Sequence, residues 1–141
     1  MTTAEIAHRL VSLCQEHKNF DAMNELYADD IVSVEAMPNA EGHFETVGKP
    51  AVIQKSMDWA AAHDIHSGTT TGPFVAQNRF AVLFDFDVTN KASGHRMQLR
   101  EVAVYTRTRT RSTSSPTDPW FASRAGSRTA HHRSFPGSPS S

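Results

Sequence analysis

Cysteine is almost absent from this chain: Cys14 stands alone among 141 residues. A single thiol cannot close an internal disulfide, and it leaves no cysteine pair for a zinc or redox motif, so a reducing compartment is expected. Long apolar runs are missing too, and no segment is expected to cross a membrane as a helix. The opening MTTAEIAHRL carries Glu5 and lacks the basic-then-apolar layout of a signal peptide, which points to the cytoplasm. No phosphate-cradling glycine loop and no nucleophile elbow occurs. What is left is one soluble domain, long enough to bury its own core.

Charge is scarce overall but unevenly spread. Residues 1–106 carry 14 acidic and 8 basic side chains, a net of −6. Residues 107–141 carry six Arg, no Lys and the single acid Asp118, a net of +5. That last stretch has no Leu, Ile, Val or Met, so it cannot bury enough apolar surface to offset its ordering entropy. Arginine could draw it to nucleic acid, but the arginines are dispersed among Ser and Thr, and nucleic acid is not the expected partner. Two readings stand. One is an ordinary disordered tail; the other is G- and C-rich coding DNA read out of frame after Thr106.

Residues 1–106 divide into helices and then strands. Thr2-Thr3-Ala4-Glu5 has capping-box spacing, followed by Ile6, Leu10, Val11 and Leu13 at helical intervals. HKNFDAMNELYADD reads as a break and a second short helix, with Phe20, Met23, Leu26 and Tyr27 inward, running into the strand IVSVEAM. Gly48-Lys49-Pro50 opens a third helix, because proline is tolerated in the first turn. Its inward side is expected to be Val52, Ile53, Ser56, Met57 and Ala60. From Ser67 the period becomes two. TTTGPFVAQ, RFAVLFDFDVT and HRMQLREVAVYT are three predicted strands, with Phe80, Val82, Phe84, Phe86 and Val88 on one face of the second. Helices followed by an antiparallel meander indicate an α+β fold.

The stretch NFDAMNELYADDIVSVEA, followed by GKPAVIQ and the three closing strands, resembles the nuclear-transport-factor-2-like superfamily, and within it the SnoaL-like and ketosteroid-isomerase-like proteins. The resemblance covers residues 3–106. It implies a cone-shaped curved antiparallel sheet packed on N-terminal helices, with a ligand pocket at the mouth and dimerisation through the sheet. It also implies a tight turn and a last apolar strand after REVAVYT. Neither is visible here, which favours the shifted frame and leaves one sheet edge unpaired, open to association.

Glu35 shares a strand face with Ile31, Ser33 and Met37. In ketosteroid-isomerase-like proteins the proton-shuttling carboxylate lies five residues beyond the second Asp of the ADD element; counted from Asp30, that position is Glu35. A carboxylate in an apolar cone loses hydration, which raises its pKa and suits it to moving protons near neutral pH. The alternative is a strand-end glutamate in solvent. Glu101 shares its face with Met97, Leu99, Ala103 and Tyr105. It matches the isomerase acid that donates a hydrogen bond to the enolate oxygen, the alternative being an ion pair with Arg79, Arg96 or another base. The isomerases' catalytic tyrosine aligns with Val11, which cannot donate, and losing one such donor typically costs ~10²–10³ in rate. Steroid isomerisation itself is therefore not expected.

Tyr27, Trp59, Leu99 and Tyr105 join Val11 as expected pocket-lining residues, with plain core as the bland reading of the aromatics. His63 and His66 in HDIH have a possible metal partner in Asp64, but one short pair is weak, and a solvent-facing helix end is the expectation. Asp85 and Asp87 are expected on a solvent or dimer face. His43 and His95 fall in loops without a readable role. The resemblance implies a homodimer that takes a small apolar or polyketide-like ligand without metal or organic cofactor. Either it is an acid–base isomerase or cyclase acting beside a carbonyl, or a non-catalytic ligand-binding or dimerisation module.

Overall fold

Thr2 and Glu5 form the capping box that their spacing dictates. The Thr2 amide donates to Glu5 Oε1 at 2.9 Å and the Glu5 amide to Thr2 Oγ1 at 3.1 Å, opening helix α1, Thr3–Gln15. This computed structural model describes residues 1–35 and 37–107, together with the backbone of Phe121–Ala122. The buried stripe of α1 is Ile6, Ala7, Leu10, Val11, Leu13 and Cys14, and it packs on helix α2, Asn19–Leu26, and against the sheet. Phe20, expected inward, is 38% exposed and is one of the residues that line the cavity described below.

Strands β1, Val32–Val34, and β2, Glu45–Val47, form a short antiparallel hairpin; β2 had no sequence signal. Helix α3, Lys49–Ala62, begins after Gly48 (φ 94°), a left-handed backbone that favours glycine, with Pro50 in its first turn. Its inward side differs from expectation. Val52 is buried, but Met57 is 49% exposed, because five residues carry it about 140° around the helix from Val52.

The main sheet runs β3, His63–Ala76, then β4, Arg79–Asn90, then β5, Arg96–Arg107, all antiparallel and in that spatial order. β3 starts at His63 directly after α3, earlier than the expected TTTGPFVAQ, so HDIH opens a strand and does not close a helix. Asn90 Oδ1 accepts from the amides of Ala92 and Ser93, and Gly94 takes φ 71°, forming the β4–β5 turn expected of NKASGH. On β4 the alternation holds: Phe80, Val82, Phe84 and Val88 are buried and Phe86 packs partly buried against the core. A two-residue strand, β6, Phe121–Ala122, pairs with Thr106 and Arg107. Against the expected missing strand, that is all of it among the described residues. The remaining expectations for the tail, disorder and a shifted frame included, fall outside them.

Candidate functional site

Two strands on separate hairpins and one helix bring polar groups into an otherwise apolar interior. Between the inner face of β3–β5, helix α3 and the β1–β2 hairpin lies a cavity of about 540 Å³. Ser33, Glu35 and Met37 line it from β1 and the residues after it, which is the face that strand parity assigns to them. Phe84, Phe86, Leu99, Glu101 and Tyr105 line it from β4 and β5. The register pairs Phe84 with Glu101 and Phe86 with Leu99, so the acid sits across from an aromatic row.

Both acidic candidates therefore face one hollow. Glu35 is not in a purely apolar setting, however. Lys55, on α3, donates from Nζ to Ser33 Oγ at 2.8 Å and to Glu35 Oε1 at 3.1 Å, in a pair whose side chains are 31% and 20% exposed. The expected dry carboxylate is instead half of an ion pair. Sequence reasoning missed Lys55, which reads as one more solvated charge. The signal was there in its spacing: with Val52, Ser56 and Trp59 it falls on the helix line that lines the cavity.

Tyr27, at the end of α2, and Tyr105, on β5, are buried side by side, their ring centroids 6.3 Å apart and their hydroxyls hydrogen-bonded to each other. Burial pushes both phenols well above their usual pKa, and the nearby Glu101 carboxylate adds to it in both cases. Glu35 raises Tyr27 as well. Both tyrosines thus stay protonated, one hydroxyl donating to the other in their mutual hydrogen bond. Trp59 lines the cavity while stacked on His63 at 4.5 Å and tilted against Phe86 at 5.9 Å.

Val11 is buried but does not line the cavity; α1 presents Leu10 and Cys14 there instead, because Val11 is turned about 100° from Leu10 around the helix. Burial lifts the Cys14 thiol to about 12, so it is a neutral apolar wall rather than a nucleophile. The histidines of HDIH are separately engaged, His63 Nδ1 with the Trp59 carbonyl at 2.8 Å and His66 Nε2 with Thr89 Oγ1 at 2.7 Å. Among the described residues no group of three metal-ligating side chains occurs. His43, without a readable role in the sequence, sits at the mouth beside Phe44, Pro38 and Asn39.

Comparison with known proteins agrees with this architecture. A solved structure from Mesorhizobium loti, described as a candidate SnoaL-like polyketide cyclase with "carbohydrate phosphatase" in brackets, is 37% identical. The match covers 88% of this chain and 97% of that one, with a TM-score of 0.74. A candidate isomerase from Bacillus subtilis shares the fold at 14% identity and TM-score 0.59, covering 95% and 96% of the two chains. Another from Rhodopseudomonas palustris does so at 10% and 0.53, covering 94% and 93%. No curated protein matches the sequence. The SnoaL-like domain model matches residues 1–114, past the expected boundary at Thr106, and the chain belongs to that SnoaL-like family.

Proposed function

We propose that this protein is an acid–base enzyme of SnoaL-like type, acting beside a carbonyl of a small apolar or polyketide-like ligand. The observation that carries the reading is the convergence of Glu35, just after β1, and Glu101, on β5, on one apolar cavity. Glu35 moves the proton; Glu101, beside two protonated tyrosines, orients the ligand or the hydroxyl that binds it. The relative described as a candidate polyketide cyclase supports the reaction class. The protein is further proposed to be a homodimer, for which the exposed Phe74 and Val75 on β3 offer apolar surface.

Hydrogen–deuterium exchange beside the carbonyl of 2-tetralone, followed by NMR in D₂O, tests the reaction class without the natural substrate. Exchange above the buffer rate is expected, and Glu35→Gln should lower it by about 10²–10⁴ while the ketone still binds. The runner-up, a non-catalytic binding module, is favoured by the contact that already occupies Glu35 Oε1. Binding with no exchange in the parent protein would select it.

A further inference from the structure

The chain has four lysines, and Lys55 alone among them lines the cavity. Lys18 pairs with Glu16, Lys49 donates to the Asn24 carbonyl, and Lys91 approaches Asp64, all outside it. An ammonium has three N–H donors. Ser33 Oγ and Glu35 Oε1 accept two of them, which leaves the third for whatever occupies the hollow.

The position matters as much as the spare donor. A base that removes a proton beside a carbonyl and a donor that receives the resulting oxyanion must be neighbours, since the hydrogen and the oxygen are three bonds apart. Glu35 Oε1 and Lys55 Nζ are 3.1 Å apart. Val11, where the resemblance expects a tyrosine donor, supplies nothing. We propose that Lys55 is the oxyanion donor of this site, and that the cavity takes an uncharged, enolisable ketone. The proposal rests on the acid–base reading above.

The charge bookkeeping favours it. Before reaction the ammonium faces the Glu35 carboxylate. In the step, the C–H bond beside the carbonyl breaks and its proton goes to Glu35. The electron pair forms the C=C bond, and the carbonyl oxygen becomes the enolate oxygen. Lys55 then faces the enolate in place of the carboxylate. The net charge of the cavity is unchanged, so the ion pair is handed from protein to substrate and no new charge is created in a poorly solvated space. The two cations of the lining are already engaged, Lys55 by Glu35 and Arg100 by Asp85, which disfavours a ligand that brings its own carboxylate or phosphate.

A phenol mimics both ends of this step, because it can give its proton to Glu35 and become the phenolate. The test compares 4-nitrophenol, whose ionised form absorbs visibly, with 4-nitroanisole, which has the same body and cannot ionise. The parent should bind 4-nitrophenol ionised at a pH where it is mostly protonated in buffer. Lys55→Met should remove that absorption and lower 4-nitrophenol affinity about 10–100-fold, leaving 4-nitroanisole binding as it was, which also shows that the variant is folded. Glu35→Gln should instead tighten phenolate binding, since it removes the competing carboxylate.

Opposite signs for the two variants support the proposal. Shifts in the same direction, as expected of a pair that only braces α3 to β1, overturn it, as does indifference of the phenol signal to Lys55. If the parent binds neither probe, the pocket reading itself fails. If it binds 4-nitroanisole and Lys55 has no effect on the phenol, the oxyanion role alone is lost.

Discussion

The two faces of the β4–β5 ladder carry the same kinds of residue to opposite ends. On the outer face Asp85 is held by Arg100 at 2.8 Å, and Asp87 by Arg96 through two contacts at 3.0 and 2.7 Å. On the inner face of the same strands Glu101 stands across from Phe84 among apolar side chains. One step along a strand reverses the surroundings, so an acid means a solvated cross-strand pair in one case and a cavity wall in the next. Position on the pleat, and not residue type, separates the candidate site from the surface.

The inner face should be the more sensitive of the two, most of all at its closed end. Phe80 is 1% exposed and stacks on Tyr105 at 4.9 Å. Phe80→Ala should cost about 3–5 kcal/mol in urea unfolding, by lost transfer energy and the cavity left behind. A second inner position tests the open end. A Cβ added at Gly68 would lie 2.8 Å from the Phe86 ring, which crosses β3 at that point. Gly68→Ala should therefore push Phe86 toward the cavity, costing about 1–3 kcal/mol and weakening 4-nitroanisole binding. An unchanged affinity would show that the ring yields in another direction.

Alkaline pH probes the same interior. Burial raises the Cys14 thiol from 9.0 to about 12, and it raises the phenols of Tyr27 and Tyr105 as well. The unfolded chain releases these protons at their ordinary values while the folded chain retains them. Their contribution is therefore intact below about pH 9 and is lost as pH rises through the raised values. For Cys14 the slope is about 1.4 kcal/mol per pH unit between 9.0 and about 12. Urea midpoints measured from pH 8 to 11 should fall accordingly, and Cys14→Ala should flatten part of the slope. A flat profile in the parent would mean that water reaches the thiol and the phenols.

Much of this was legible because period-two alternation is a strong signal over a long strand. Phe80, Val82, Phe84 and Val88 sit where alternation puts them, and the same counting brings Glu101 and Tyr105 to the cavity. Glu35 follows from three residues of parity and the ADD spacing. The failures have physical causes too. Lys55 is invisible to a rule that sends charge outward, since its pairing with Glu35 depends on a contact 20 residues away. Met57 fits the inward set Val52, Ile53, Ser56, Met57 and Ala60 by helical spacing, yet it lies at the edge of that face and is 49% exposed. The family resemblance implies Val11 in the lining, yet α1 presents Leu10 and Cys14 there. The mouth residues around His43 and Phe44 lie in a loop, where no periodicity exists to be read.

The smallest effect is expected on the outer face. Exposed ion pairs gain little in high dielectric and lose side-chain entropy in forming, so Asp85→Asn together with Asp87→Asn should leave the urea midpoint unchanged in about 0.15 M salt. Any loss should be confined to low ionic strength. The comparison sharpens if this fails. A marked destabilisation that depends on protein concentration would mean that the outer face is covered in solution by a second copy of the chain, where dry ion pairs weigh far more. A marked destabilisation without concentration dependence would leave the monomer's two faces energetically alike, and the contrast between a solvated outside and a site-bearing inside would no longer hold.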